Sequence, residues 1–478
     1  MKVPKPFDLF ALFTAVLLAA CASPPAIDSL AMPAPPEAFK QANEDGHWIQ
    51  ARPADAQPRG EWWRAYGDDT LNDLEARAVA HNDRIQIATA HLAKAKALLL
   101  ESDAQRMPEI DFSSQIFRGT TLQTGNRGIN AFTAGPSLSY EADLFGKLSR
   151  ATDAARLDEQ SSEALLLGAQ LLVQADVAQT YFAMRALDIE EGIVGDTVRT
   201  FTETQKLTRA RFVDGYVAEL EVHRVDADLA SAESDRLALK RQRSVLENGL
   251  AVLVGEPASN FSVRPTNWSV AMPVIPQGIP STVLQRRPDV AAAERELLAA
   301  HARVGLAQTA WFPSLDLTAN GGYGTTDLSK LFTWSARSWG IGALLALPIF
   351  DGGRRDAKIA ATKADMDAAR AAYREQILVA FKEVEDQLSA QRLLAEQSAA
   401  ESRAVDSSSL ATSMADVRYR DGLTSQFELL EDERAELRSR RRAAQVQAAQ
   451  YQASVGLIRA LGGSWEAPLS AKPIAMSN

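Results

Sequence analysis

The sequence predicts an α+β membrane protein in which long helices and a few strands occur in the same order twice. Three observations lead to this prediction: an internal duplication, pairs of segments with alternating apolar and polar residues, and helical stretches too long for one globular core. Nearly half of the 478 residues (46%) are hydrophobic and 23% are charged, so a folded protein is expected. The net charge of −10 argues against a nucleic-acid partner, because binding phosphates requires a basic surface.

The duplication is visible as four segments that recur in one order at nearly constant spacing. The matching pairs are MPEIDF at 107–112 with FPSLDL at 312–317, DLFGKLSR at 143–150 with PIFDGGRR at 348–355, RFVDGYVAELE at 211–221 with RYRDGLTSQFE at 418–428, and LAVLVG at 250–255 with LIRALG at 457–462. Such agreement in order and spacing indicates one unit written twice.

Each unit contains two segments in which apolar and polar residues alternate, which is the pattern of strands with two different faces. The apolar positions are Phe132, Ala134, Pro136, Leu138, Tyr140, Ala142 and Leu144 in one segment, Leu315, Leu317, Ala319 and Tyr323 in another, Trp339, Ile341, Ala343, Leu345, Leu347 and Ile349 in a third, and Ile110, Phe112 and Ile116 in a weaker fourth. The pattern fits transmembrane strands and equally the half-buried strands of a soluble sandwich. The N-terminal features described below favour the membrane.

The remaining segments predict helices. The first helix of each unit is expected at 71–106 and 282–310, and a long helix at 147–212 with one possible break near Gly192 and Gly195. Its counterpart begins after Gly353 and carries a seam with coiled-coil spacing, formed by Tyr373, Ile377, Phe381, Val384 and Leu388. Helices of this length suit the struts of a tube.

The N-terminus predicts secretion and a lipid anchor. Lys2 and Lys5 precede an apolar stretch at 9–20 that is too short to span a bilayer. The stretch ends in LAAC at 18–21, which resembles a lipobox with Cys21 as the lipidated residue; a plain signal peptide beside a chance cysteine is the alternative. By this resemblance, Ala22 after the cysteine favours the outer over the inner membrane. If the anchor is present, no thiol is left for a disulfide or a thiolate metal site, since Cys21 is the one cysteine.

Four strands per chain have a physical consequence if they cross a membrane. The smallest bacterial single-chain barrels use about eight strands, and an open sheet edge in lipid leaves backbone groups unpaired. The chain must then pool its strands with other copies of itself. The strand pattern does not set the number of copies.

Several motifs together resemble the outer-membrane efflux lipoproteins of the OprM and NodT type, relatives of the TolC duct. They are LQRRPDVAAAE at 284–294, EWWRAYGDDTLNDLEARAVAHND at 61–83, FPSLDL, SYEADLFGK at 139–147 and PIFDGGRR. The resemblance implies a homotrimer in which four strands from each protomer form a twelve-stranded transmembrane β-barrel, continued by a long α-helical periplasmic barrel. It also implies a passive exit duct in the outer membrane, docked to a periplasmic adaptor protein and an inner-membrane pump.

The predicted domain organisation follows the duplication. We expect a lipoprotein signal peptide at 1–20, a lipid-anchored extended tether at 21–60, a first repeat at 61–255, a linker at 256–280, a second repeat at 281–463 and a C-terminal tail at 464–478.

The family signature consists of Arg286, Arg287, Pro288 and Asp289. Proline suits the first position of a helix, where its missing N–H is no loss, and the aspartate is expected to face the positive helix end. The two arginines are interpreted as surface groups that pack on a neighbouring helix. Nothing nearby in the sequence offers a reaction partner.

The resemblance also implies that inward-coiled helices close the periplasmic end, and that an acidic pair lies shortly after the glycine turn of the second repeat. The matching residues are Glu428 and Glu431, which share one helix face and predict a ring of carboxylates around a threefold axis. An ordinary solvated charged face is the alternative. The counterparts in the first repeat are Glu221 and Arg224, and Arg224 is predicted to lock the closed state by pairing with an acid on the neighbouring helix; a surface ion pair is the alternative.

The glycine turns at Gly215 and Gly422 are the expected adaptor-docking tips, and glycine at these positions also serves a tight turn. A pore-free periplasmic coiled-coil scaffold would leave the alternating strands unexplained. A lipid-anchored enzyme would need convergent polar groups, but the five histidines form no H-E-x-x-H motif. No enzymatic activity, metal or cofactor is therefore expected beyond a covalent lipid on Cys21.

Overall fold

A computed structural model describes residues 39–40, 60–120, 128–266, 268, 270, 272–273, 275 and 286–463. The predicted signal peptide at 1–20, Cys21 and the tail at 464–478 lie outside the described residues, as does nearly all of the predicted tether at 21–60. The predicted domain boundaries stay predictions.

The helices and strands occur in the same order in the two halves of the chain. The first half contains α1 (Asp69–His81), α2 (Asp83–Ala104), β1 (Glu109–Gly119), β2 (Ile129–Ala142), α3 (Lys147–Val213) and α4 (Glu219–Leu253), and the second contains α5 (Pro288–Gln308), β3 (Ser314–Thr325), β4 (Arg337–Ala346), α6 (Arg354–Arg420) and α7 (Gln426–Ala460). The helices α3 and α6 both have 67 residues, and α4 and α7 both have 35. These equal lengths confirm the predicted duplication.

The prediction of a single helix at 71–106 is wrong, because the helix is interrupted at Asn82, between α1 and α2. Asn82 has an extended backbone (ψ 127), and its Oδ1 accepts a hydrogen bond from the N–H of Arg84 at 2.9 Å. Its Nδ2 donates to the carbonyl oxygen of Leu253 at 2.7 Å. An asparagine in this position is a good N-cap, so it ends one helix and begins the next. The start of α2 at Asp83 corresponds to the start of α5 at Pro288, as the repeat predicts.

The possible break near Gly192 and Gly195 does not occur, and α3 runs through both glycines. At about 1.5 Å per residue, α3 and α6 are each about 100 Å long. An isolated glycine costs a helix only about 1 kcal/mol relative to alanine, which a helix of this length tolerates.

The four strands form one antiparallel sheet in the order β1-β2-β3-β4. The register places apolar residues in rows across the sheet: Ile110 pairs with Leu138, Leu138 with Ala319, and Ala319 with Ile341. The other face carries small and polar residues, as in the pairs Ser137 with Asn320 and Ser139 with Thr318. The predicted two-faced pattern is therefore present. The strands end earlier than predicted, so Leu144, Leu347 and Ile349 lie beyond β2 and β4.

Glycines allow β2 and β3 to approach closely at the centre of the sheet. A Cβ added to Gly135 would lie 2.1 Å from the carbonyl oxygen of Gly321, so no other residue fits this backbone position. The alternating residues around Tyr323 predict a strand but give no sign of this contact.

The chain forms two compact units, which differ from the two sequence repeats because each unit contains segments of both repeats. One unit includes residues 90–163 and 292–375, and it contains the sheet. The other unit includes the described parts of 34–89 and 164–291 together with 376–463. Its core is built largely from α1, α3, α4, α6 and α7.

Aromatic rings form the centre of the core in the unit that does not contain the sheet. The ring of Phe182 lies 4.9 Å from that of Tyr66 and 5.2 Å from that of Tyr451.

Asp68 accepts hydrogen bonds from the hydroxyl of Tyr181 and from Nε1 of Trp268, both at 2.7 Å. Burial and the bond to Asp68 raise the pKa of Tyr181 to about 12, so this side chain stays a neutral donor. The network fixes the N-terminus of α1 on α3.

Among the described helices, none combines the length and apolarity that crossing a bilayer would require.

Candidate functional site

The two long helical hairpins, α3–α4 and α6–α7, each end in a turn, and the two turns have equivalent hydrogen bonds. At the end of α3, the N–H of Tyr216 donates to the carbonyl of Arg211 at 2.8 Å, and Gly215 donates to Phe212 at 2.9 Å. At the end of α6, the N–H groups of Leu423 and Gly422 make the equivalent bonds to Arg418 and Tyr419, at 2.8 and 3.1 Å. This is the Schellman arrangement, which needs a left-handed residue after the helix. Gly215 and Gly422 provide it with φ angles of 77° and 73°.

Large apolar side chains are exposed around both turns. Val213 is 83% exposed, Tyr216 80% and Leu423 68%. A group of exposed apolar residues at the end of a rigid hairpin is a feature of interaction surfaces.

The two tips contact each other through side chains. Arg211 lies over the ring of Tyr419 at 4.7 Å, and the buried side chain of Gln426 donates to the hydroxyl of Thr208 at 2.7 Å. The α3–α4 and α6–α7 hairpins are thus joined close to their turns.

The first predicted gate residue, Glu428, is exposed in the first turn of α7. The side chain of Ser425 caps this helix by accepting from the N–H of Glu428 at 3.3 Å. The Glu428 carboxylate accepts a hydrogen bond from the hydroxyl of Thr424. Within the described part of the chain it forms no ion pair.

The second predicted gate residue, Glu431, is paired with a cation. Arg434 donates to the Glu431 carboxylate, and its other terminal nitrogen lies 2.5 Å from Asp228 on α4. Glu431 therefore shares one cation with Asp228, whereas Glu428 has no ion-pair partner among the described residues. The pairing of Glu431 with Arg434 was not predicted from the sequence.

Within the described chain, the prediction that Arg224 pairs with an acid on the neighbouring helix is wrong, and its alternative, an ordinary surface ion pair, is present. Arg224 pairs at 3.2 Å with Glu221, three residues earlier on the same helix, and not with an acid on the neighbouring helix. Its guanidinium instead lies 5.4 Å from the ring centre of Phe427 on α7. Because Glu221 is one helical turn away and Phe427 occupies the facing position, both are within easier reach than Glu428.

A group of acidic residues on α4, α6 and α7, close to the hairpin tips, was also not predicted from the sequence. Burial raises the pKa of Glu433 to about 7, with smaller contributions from the negative charges of Asp416, Glu436 and Asp228. One carboxylate oxygen of Glu433 and one of Asp228 are buried without a hydrogen-bond partner. An ordinary charged face was the alternative to the gate on this stretch of α7, and the burial of these acids was not predicted.

Two ion pairs between α4 and α7 repeat at heptad spacing. Asp228 pairs with Arg434, and Asp235 pairs with Arg441 at 3.0 Å. The signal was available in the sequence, since acids seven residues apart on one helix and arginines seven residues apart on its repeat counterpart predict such a ladder.

The family signature forms an ion-pair network around a buried arginine, so the interpretation as a surface group is wrong for Arg287, although it does pack on a neighbouring helix as predicted. Arg287 is 4% exposed, and its guanidinium lies 2.6 Å from Asp289 and 2.7 Å from Glu383 on α6. It also donates to the carbonyl of Ala460 at the end of α7 at 3.2 Å. Although burial opposes the charge, Asp289 and Glu383 raise the pKa of Arg287 above its ordinary value. Arg286 is partly buried.

Pro288 takes the first position of α5, as predicted, and Asp289 accepts from the N–H of Val290 at 3.0 Å. The side chain of Gln376 on α6 donates to the same carboxylate at 2.6 Å. The signature thus fixes the start of α5 to α6 and α7.

The model of one protein family, described as outer membrane efflux protein, matches residues 74–256 and 279–463. The two matched segments cover most of the chain, so the chain belongs to this family. The resemblance found in the sequence is confirmed.

Individual relatives agree with this assignment. The pyoverdine export outer membrane protein OpmQ of Pseudomonas aeruginosa is 30% identical over 463 residues, which cover 94% of this chain and 95% of the relative. The cation efflux system protein CusC of Escherichia coli O6:H1 is 26% identical over 462 residues, which cover 96% and 99%. A solved structure of the outer-membrane channel OprN is similar with a TM-score of 0.80 and 28% identity, and covers 90% of this chain and 99% of that one.

The chain is therefore an outer membrane efflux channel that extends into the periplasm, with the predicted combination of a long helical part and a strand-containing part. Its family is one of channels and not of enzymes.

Proposed function

We propose that three copies of this chain form a passive exit duct for small molecules. Each copy contributes its four strands to a twelve-stranded barrel in the outer membrane, and the long helices continue the duct through the periplasm. The observation that carries the proposal is the sheet, which has an exposed apolar face and two edges without a partner strand in the described chain.

The edge strands explain why copies must associate. Among the strands that the structure describes, β1 pairs only with β2, and β4 pairs only with β3. In hydrocarbon, each unpaired backbone N–H or C=O costs several kcal/mol, and the smallest single-chain barrels use about eight strands. Pairing β1 of one copy with β4 of the next satisfies both edges, and repeating this contact around an axis closes the sheet.

The hairpin tips are the proposed docking surface for a periplasmic adaptor, which connects the duct to an inner-membrane pump. The exposed Val213, Tyr216 and Leu423 supply the apolar contact area. The Schellman turns at Gly215 and Gly422 hold these side chains on rigid helix ends, which lowers the entropy lost on binding.

The acidic residues near the tips are the proposed periplasmic gate. Threefold symmetry places three copies of Glu428 and Glu431 around one axis, where carboxylates attract cations. Since Glu431 shares Arg434 with Asp228, and Glu428 has no cationic partner in the described chain, Glu428 contributes the larger uncompensated charge to this ring. Arg224 and Glu221 support the ring through the contact of Arg224 with Phe427 on α7.

The anchor is the proposed covalent lipid on Cys21, and no enzymatic activity or further cofactor is assigned. OpmQ and CusC are named for pyoverdine export and cation efflux respectively. A passive duct selects little among small molecules, so the proposal for this chain names no single cargo.

Planar-bilayer recordings test the gate. We expect Glu428→Gln to reduce the block of the channel by divalent cations strongly, because it removes an unpaired carboxylate from each copy. Glu431→Gln is expected to have a smaller effect, because the charge that it removes is already paired with Arg434.

Asp406→Asn is the matched control, since it removes the same charge from an exposed position on α6, away from the turn. Equal block in all four proteins would exclude the gate while leaving the duct intact. A reconstituted protein that never conducts, even with both gate acids replaced, would contradict the proposed function itself.

A further inference from the structure

The unit that contains the sheet has an open groove of about 510 Å³ where the chain passes from strands to helices. Three strand residues line it, and all three lie on the polar face of the sheet: Glu141, Ser314 and Ala346. The apolar face, on which Trp339 and Ile341 are each 80% exposed, is the one that the proposed barrel turns to lipid. The groove therefore opens toward the inside of that barrel, away from bilayer lipid.

Two basic residues at the start of α6 line this groove without a counter-charge. Arg354 and Lys358 lie four residues apart on one face of the helix, and both are exposed. Their neighbour Arg355 is paired with Asp351 at 2.8 Å. Among the residues that the structure describes, neither Arg354 nor Lys358 has an ion-pair partner.

The other acids that line the groove are occupied as well. Glu141 lies 2.9 Å from Lys147. Asp143 caps the start of α3 by accepting from the N–H of Ser149 at 2.8 Å. The described chain thus offers Arg354 and Lys358 no free carboxylate.

The opposite edge of the sheet carries two acids that are also unpaired. Glu109 and Asp111 are the first and third residues of β1 and are exposed. They lie on the polar face, where they are opposite Ser139 and Ser137 of β2. In the described part of the chain, neither acid forms an ion pair. Each sheet therefore has two spare acids at one edge and two spare cations close to the other.

Strand direction brings these charges together when two copies join. β4 runs toward the helices and ends at Ala346, just before the turn into α6, whereas β1 runs away from the helices and begins at Glu109. With the helices of all copies on one side, β1 of one copy and β4 of the next are antiparallel, so the start of β1 lies beside the end of β4. Because side chains alternate between the faces, Glu109 and Asp111 are on the same side of the joined sheet as the groove.

We propose that the groove receives the start of β1 from a second copy of the chain, and that Glu109 and Asp111 of that copy pair with Arg354 and Lys358. The contact joins two different surfaces of identical chains, which is the kind of interface that closes into a ring. This inference rests on the proposed trimer and adds the residues that hold its edges in register. A free anion is a less fitting occupant, because it would leave both acids of β1 unpaired.

Subunit exchange between two differently labelled populations of the purified protein tests this contact. We expect Arg354→Glu/Lys358→Glu to speed exchange about tenfold, because both ion pairs become contacts between like charges. Glu109→Lys/Asp111→Lys is expected to have the same effect. A variant that combines all four changes restores opposite charges across the interface and is expected to exchange at nearly the wild-type rate.

The control is Lys363→Glu/Arg374→Glu, which changes the same charge at exposed positions on α6 that do not line the groove. Equal acceleration in the control and the groove variant, or no recovery when all four changes are combined, would overturn the proposal while the trimer remains. An anion that native mass spectrometry finds on the wild type and not on Arg354→Glu/Lys358→Glu, with no change in exchange, would assign the cations to a ligand and also overturn it.

Zero-length cross-linking of wild-type trimers, assembled in membranes from chains with two isotope labels, needs no charge reversal. A carbodiimide joins a carboxylate to an amine in contact with it, so we expect a link between Lys358 of one copy and Glu109 or Asp111 of another. Lys358→Arg keeps the charge without the amine, and it is expected to abolish the link and to leave subunit exchange unchanged.

Wild-type trimers in which this link does not form would overturn the proposal and leave the duct intact. A protein that forms no trimers at all would contradict the proposed duct itself, and with it this inference.

Discussion

At the scale of single residues, Arg287 holds together parts of the chain that are far apart in sequence. It contacts Asp289 beside it, Glu383 on α6 and the carbonyl of Ala460, which is 173 positions away. Its side chain is almost fully buried, so the two carboxylates provide the charge that water would otherwise screen.

Replacing Arg287 by alanine is expected to destabilise the protein by about 1–3 kcal/mol, because Glu383 and Asp289, which keep some contact with water, would lose their cationic partner. Chemical denaturation in detergent measures the change. Arg156→Ala serves as the control, since Arg156 and Asp153 are both about half exposed and such a pair contributes less than about 1 kcal/mol. A loss for Arg287→Ala as small as that of the control would show that the network does not stabilise the fold.

The sequence identified the signature as a helix start but not as a buried network. Pro288 and Asp289 follow local rules for the first turn of a helix, which need no knowledge of the rest of the fold. The burial of Arg287 depends on α6 and α7, whose packing no local rule describes. For the same reason, Glu428 and Glu431 were found by resemblance, whereas the pairing of Arg434 with Asp228 required the structure.

Glu75 is a further residue that only the fold explains. It is fully buried in α1, its two carboxylate oxygens have no hydrogen-bond partner, and burial raises its pKa well above the ordinary value. A glutamate at this position in an amphipathic helix gives no sequence signal of burial.

At the scale of elements, the two hairpin turns depend on glycine for the left-handed residue after each helix. Because both turns recur at the same place in the duplication, the sequence was sufficient to predict them. The break at Asn82 was not predicted, since its second hydrogen bond goes to Leu253, at the far end of the first repeat.

Replacing Gly215 or Gly422 by alanine is expected to destabilise the turn by about 1–2 kcal/mol, because an L-residue is strained at a φ near 75°. Hydrogen exchange of the amides in the turn measures this local free energy.

Gly192→Ala is the matched control and is expected to have the opposite sign. Gly192 lies within α3, and a Cβ there would meet no atom within 4 Å, so alanine should stabilise the helix by about 0.5–1 kcal/mol. If alanine slowed exchange at all three positions alike, the turns would not need their left-handed residue.

At the scale of the whole molecule, the central claim is that the sheet is completed by other copies of the chain. The two-faced pattern of the strands was readable from the sequence, and the order β1-β2-β3-β4 confirms that each chain supplies one four-stranded sheet. The number of copies is not encoded in strand pattern or register, and it rests on resemblance to the family.

Disulfide cross-linking between the edge strands tests this claim most directly. A cysteine at Ser113 on β1 is combined in turn with one at Ser338, Gly340 or Gly342 on β4, because these residues share the polar face of the sheet. The pair Ser137→Cys and Asn320→Cys, which are direct neighbours in β2 and β3, is the internal control. The protein with Cys21 alone measures the background.

After mild oxidation in membranes, the account predicts covalent trimers for at least one of the β1–β4 pairs and none for the background protein. If the internal pair forms its disulfide while every edge pair stays monomeric, the sheets of separate copies do not join, and the shared barrel is contradicted.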